Sequence, residues 1–117
     1  MNIVIISNTD YNFSAKFSKI CNDNSDDLLF CDHLEDLVNK NITNSLIIID
    51  YDDNIDHTRN IKDISEKLLN VTFCIIMKNV NSSAQKRLTH LGFDLVMSKQ
   101  SFLINFSTIK KQFLNQK

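Results

Sequence analysis

Five short apolar runs, each followed by a segment of helical period, constrain this chain more than any other feature. They are "IVII" at 3 to 6, "LLFC" at 28 to 31, "LIII" at 46 to 49, "VTFCIIM" at 71 to 77 and "DLVM" at 94 to 97. Continuous aliphatic runs without polar alternation belong to strands covered on both faces. Behind the first run, Asp10 is a residue type suited to an N-cap, and Phe13, Phe17, Ile20 and Cys21 recur at i, i+4, i+7 and i+8. Leu34, Leu37 and Val38 make a second stripe, Ile61, Ile64 and Leu68 a third, and Ala84, Leu88 and Leu91 a fourth that stops at Gly92. Phe102, Phe106, Ile109 and Phe113 stripe a closing helix. This alternation predicts an α/β fold with a parallel sheet and helices on both faces.

At 117 residues and 43% hydrophobic content, the chain reads as one domain, 1–117, with a core that needs no staples. A single glycine and no proline rule out a glycine-rich phosphate loop. A net charge of -1 offers nothing to nucleic acid or to an anionic membrane. The start, "MNIVIISN", lacks the basic flank and long apolar stretch of a signal peptide, so a cytoplasmic location is expected. Cys21, Cys31 and Cys74 are odd in number, lack CxxC spacing and fall within apolar patterns, which predicts reduced core thiols and neither zinc nor disulfides. His33, His57 and His90 are scattered and have no ligand spacing.

The third run ends in Asp50, followed by Asp52, Asp53 and Asp56. Open α/β sheets place their chemistry outside the C-terminal ends of strands, where Asp50 should stand. The ordinary reading is a solvated strand-end acid beside an acidic loop. Two further matches sharpen the choice. "GFDLVMSKQSF" at 92 to 102 is similar to the "GADDYLTKPF" of one family, and the order of elements agrees throughout. On these residues the whole chain resembles the receiver domain of two-component response regulators. That family has a doubly wound (βα)5 flavodoxin-like fold with five parallel strands in the order 2-1-3-4-5.

The resemblance implies Asp50 as candidate phospho-acceptor and Lys99 as the family's lysine. Phosphoryl transfer to a carboxylate brings anions together, so a divalent cation and an ammonium must neutralise the oxygens. Receivers ligate magnesium through an acidic pair after strand one, the acceptor aspartate and a carbonyl two residues beyond it. Here the pair falls on Ser7 and Asn8, both neutral, which leaves Asp50, Asn8 and Asp52 as a weak set for magnesium. The switch positions hold Met77, whose thioether donates no hydrogen bond, and Val96 in place of an aromatic residue. Both suit ordinary core filling, and Lys99 suits a counter-ion for Asp50.

The expectation is therefore a pseudo-receiver: a signalling module and not an enzyme beyond self-phosphorylation, needing no cofactor. The rival is a single-domain regulator phosphorylated on Asp50 by a histidine kinase. The resemblance also implies a partner surface over residues 82 to 114, used for a kinase, an output protein or self-pairing. Exposed candidates there are Gln85, Lys86, Thr89, Lys110 and Lys111, the last two reading as a solvated basic pair.

Overall fold

A computed structural model describes residues 2–7, 10–52 and 61–114. The elements in chain order are β1 (Asn2–Ile6), α1 (Tyr11–Asp23), β2 (Asp27–Cys31), α2 (Glu35–Asn39), β3 (Thr43–Asp50), α3 (Ile61–Glu66), β4 (Leu69–Met77), α4 (Ser82–Leu91), β5 (Leu95–Ser98) and α5 (Lys99–Leu114). The strands form one parallel sheet in the order β2-β1-β3-β4-β5. The predicted class and strand order are both present.

Each strand divides its side chains between two cores, as a pleat of period two requires. Ile3, Ile5, Leu46, Ile48, Cys74 and Ile76 face α1 and α5, where they meet Phe13, Phe17, Phe102, Phe106 and Ile109. Val4, Ile6, Ile47, Ile49, Phe73 and Ile75 face the other way, toward Leu37 of α2, Ile61 and Ile64 of α3 and Leu88 of α4. Asp10 caps α1 by accepting from the Phe13 N–H at 3.0 Å, and Asn81 caps α4 by accepting from the Ala84 N–H at 2.8 Å. Gly92 ends α4 at φ 116°, in the left-handed region where a side chain is strained. With proline absent and glycine used once, the other left-handed positions among the described residues fall to Ser25, Asn41, Asn44 and Asn70. Asparagine is among the few residue types that visit that region routinely.

Boundaries of four elements differ from the sequence reading. Helix α3 ends at Glu66, so Leu68 lies beyond it and packs against the core from a turn. Leu34 stands at the cap of α2, outside the helix, yet is wholly buried. Strand β4 starts at Leu69 and β5 runs from Leu95 to Ser98, one residue later than "DLVM". Cys21, Cys31 and Cys74 are buried free thiols. Burial, reinforced by the charge of Asp26, pushes the Cys21 thiol up to about 11, and burial likewise raises Cys31 and Cys74. The thiolate is the nucleophile, so none of the three should react with thiol reagents at neutral pH until the chain unfolds. Labelling of the folded protein within minutes would contradict this.

Candidate functional site

Asp50 is the last residue of β3 and is fully buried, while its sequence neighbour Asp52 is exposed. That overturns the reading of Asp50 as a solvated strand-end acid. A buried carboxylate needs partners for its charge, and among the described residues Ser7, Asp52 and Lys99 supply them. Ser7 Oγ donates to Asp50 Oδ2 at 3.1 Å, and the Asp52 N–H donates to Oδ1 at 3.0 Å. Lys99 Nζ lies 2.9 Å from Oδ2.

The lysine gathers more than one acid. Its ammonium is 2.9 Å from Asp10 Oδ2 and 3.2 Å from Asp52 Oδ2. Both of these carboxylates also hold backbone: Asp10 caps α1 through Oδ1, and Asp52 Oδ2 accepts from the Lys78 N–H at 3.0 Å. One cation thus ties together the starts of α1 and α5 and the ends of β3 and β4. Burial pulls the Lys99 pKa down, but hydrogen bonds to Asp10 and Asp50, the charge of Asp50 and a hydrogen bond to Asp52 outweigh it and raise the pKa above the ordinary lysine value. The positive end of the α5 dipole also disfavours a cation at its first residue. The acids offset that as well.

Asp10 was legible in the sequence only as a helix cap. It stands two residues past the acidic-pair positions, and nothing in its spacing pointed to Lys99. The structure also changes the view of Asp52, expected to contribute its carbonyl, whose side chain reaches Lys99. Asn8, His57, Asp53 and Asp56 lie outside the described residues.

Magnesium can be weighed against this donor set. Three carboxylates converge, but they converge on an ammonium belonging to the chain, and the Ser7 hydroxyl donates to Asp50. A hard dication wants open oxygen donors in octahedral array. Among the described residues no group of three or more His, Cys, Asp or Glu is arranged to hold a metal. Among the described residues the donor set is engaged by the chain's own cation.

The switch positions sit in the core. Met77 ends β4, 2% exposed in the cluster shared with α4, and half-buried Val96 packs against that cluster. Beside them Arg87 donates to the Tyr51 hydroxyl at 2.5 Å, with its guanidinium carbon 5.8 Å from the ring centroid. Gln85, Lys86, Thr89 and Lys111 are exposed as predicted. Lys110 is not. It is half-buried, 2.6 Å from Asp26, and lies over the Phe106 ring at 5.5 Å. The i, i+4 spacing of Phe106 and Lys110 turns that lysine toward α1 and β2 and away from the solvated face.

No family model and no curated protein matches the chain. Solved structures do. The beryllofluoride-activated NtrC4 receiver domain dimer matches with a TM-score of 0.69 at 14% identity, over 96% of this chain and 98% of that one. A protein described as the CpaE2 pilus assembly protein of Sinorhizobium meliloti 1021 matches at 0.67 and 10% identity, over 92% and 98%. The FixJ-N structure matches at 0.62 and 12% identity, over 84% and 80%. This chain has the receiver fold. Among the described residues no helix is long and apolar enough to cross a membrane.

Proposed function

We propose that the chain is a pseudo-receiver, a cytoplasmic signalling module that binds a protein partner without depending on phosphorylation of Asp50. The observation that carries this reading is the Lys99 ammonium, 2.9 Å from a fully buried Asp50 and shared with Asp10 and Asp52. The acceptor carboxylate has no exposed surface and is already paired with an ammonium. A phosphoryl group entering there would meet one ammonium already shared among three acids, with neutral Ser7 where the family carries an acid. At the end of β4, Met77 has no proton to donate to a phosphoryl oxygen. Phosphorylation would therefore find no two-state element to bias.

The partner surface on this reading is the α4–β5–α5 face, held in one conformation, with Gln85, Lys86, Thr89 and Lys111 as contacts. NtrC4 is a receiver dimer, which makes self-pairing one form of that contact. The rival reading, phosphotransfer at Asp50, is favoured by the presence of Asp50 and Lys99 together. Incubation with a small-molecule phosphodonor and magnesium, followed by intact mass, separates the two. The expected result is unmodified protein. A stoichiometric adduct lost in Asp50→Asn would reverse the ranking.

A further inference from the structure

Strand β2 is an edge of the sheet and pairs only with β1 among the described residues. Its outer side presents backbone N–H and C=O groups, the template on which an added strand forms. Register with β1 sets Leu29 opposite Val4 and Phe30 opposite Ile5, so the two side chains project to opposite faces of the sheet. Both remain open to solvent, Phe30 at 50% and Leu29 at 38%. The five-residue α2 is too short to cover this edge. Next to it a groove of about 320 Å³ is lined by Val4, Leu28, Leu29 and Ile42 among others.

The charge around this strand is mostly acidic, with Lys40 and Lys110 the cations near it. From Asn22 to Asn39 the sequence holds Asp23, Asp26, Asp27, Asp32, Glu35 and Asp36 and no lysine or arginine, although the whole chain is only -1. Asp26 is neutralised by Lys110, and Asp36 accepts from the His33 N–H. Among the described residues no ion pair engages Asp27, Asp32 or Glu35. Antiparallel pairing of two copies through β2 would lay acid against acid, and like charges across a strand pair are destabilising. We infer that the β2 edge is a docking site for an extended segment of a partner protein, with apolar side chains at its centre and lysine or arginine at its ends. Main-chain bonds to β2 supply affinity, Leu29 and Phe30 extend both layers of the core under the added strand, and the acids select the partner and exclude a second copy. This surface is separate from the α4–β5–α5 face and does not depend on the state of Asp50.

The test uses the full chain and a capped nine-residue peptide with a valine–tyrosine–valine–isoleucine–valine core between lysine pairs. Saturable binding is expected, with slowed amide exchange over Leu28 to Cys31. The same core between glutamate pairs should bind at least tenfold more weakly, as should the lysine peptide to Phe30→Glu or to Asp27→Lys with Asp32→Lys. Circular dichroism checks that the variants remain folded, and the glutamate-flanked peptide on the native chain needs no variant at all. Absence of saturable binding, equal binding of the two peptides or an exchange footprint elsewhere would overturn the inference. So would self-association of the native chain that Phe30→Glu abolishes, since the edge would then serve a second copy.

Discussion

Replacing Lys99 by methionine should destabilise the fold by about 3–5 kcal/mol, the usual result of removing one partner from a buried ion pair. Methionine keeps the length and apolar stem of the side chain, so packing is nearly unchanged. What is lost is the ammonium 2.9 Å from Asp50, whose carboxylate has no exposed surface. Asp10 and Asp52, with side chains 31% and 43% exposed, can return to water. The fully buried Asp50 cannot. Against a total stability of about 5–15 kcal/mol the loss is large, and the melting temperature should fall by on the order of 10–20 °C. Adding Asp50→Asn to Lys99→Met should recover part of it, because a neutral amide in place of the carboxylate removes the uncompensated charge. A single variant costing less than about 1 kcal/mol, or a double variant strictly additive in its parts, would show that the pair is not coupled.

The pH dependence has a definite sign. The folded pKa of Lys99 is raised, so its contribution is complete below the unfolded value of about 10.4 and disappears as pH climbs through the folded value. The stability gap between the native protein and Lys99→Met should therefore stay level from about pH 6 to pH 9 and close only above about pH 10.5. Denaturant melts at four or five pH values would measure it. A gap that closes near neutrality would mean that some other group, and not this ammonium, carries the effect.

How much of this was legible beforehand depended on whether the signal was local. The strands were visible because aliphatic runs buried on both faces have no polar alternation, and "IVII", "LIII" and "VTFCIIM" all lie in strands. The helix stripes placed Phe13, Phe17, Leu88, Phe102 and Phe106 in the core. The pairing of Asp50 with Lys99 followed from the resemblance, which implies that both stand at one edge of a parallel sheet. Asp10 did not follow, because an acid serving at once as a cap and as a ligand to a residue 89 positions away carries no sequence mark of the second role. Lys110 failed for a related reason. Next to Lys111 it looks like solvated charge, and the acid it turns in to meet, Asp26, lies 84 positions away in the α1–β2 connection. For Asp50 the neighbouring acids suggested water and Lys99 suggested a buried carboxylate; the second holds, with Asp52 curling back to lend its N–H to the carboxylate.

Phe17→Ala is expected to be as damaging as the loss of Lys99, again by about 3–5 kcal/mol, through a cavity and not a charge. Phe17 is fully buried at the centre of four rings. It meets Phe106 edge-on at 5.0 Å and Phe102 edge-on at 5.3 Å, and stacks with Phe13 at 5.9 Å. These contacts join α1 to α5, the helices whose first turns bring Asp10 and Lys99 together, so the ring cluster lies beneath the cation site and sets the separation of its two helices. Phe17→Leu, which retains most of the volume, should cost only about 1 kcal/mol. If the helices dock as one unit with the sheet, Phe17→Ala will lower the denaturant midpoint without changing the slope of the transition. Each departure from that result has a distinct meaning. A small loss in Phe17→Ala would show that the surrounding rings collapse into the gap, whereas a normal loss with a shallower slope would mean that α1 and α5 separate before the sheet unfolds. The second outcome would remove the mechanical basis for treating the Asp10–Lys99 contact as a fixed feature of the folded state.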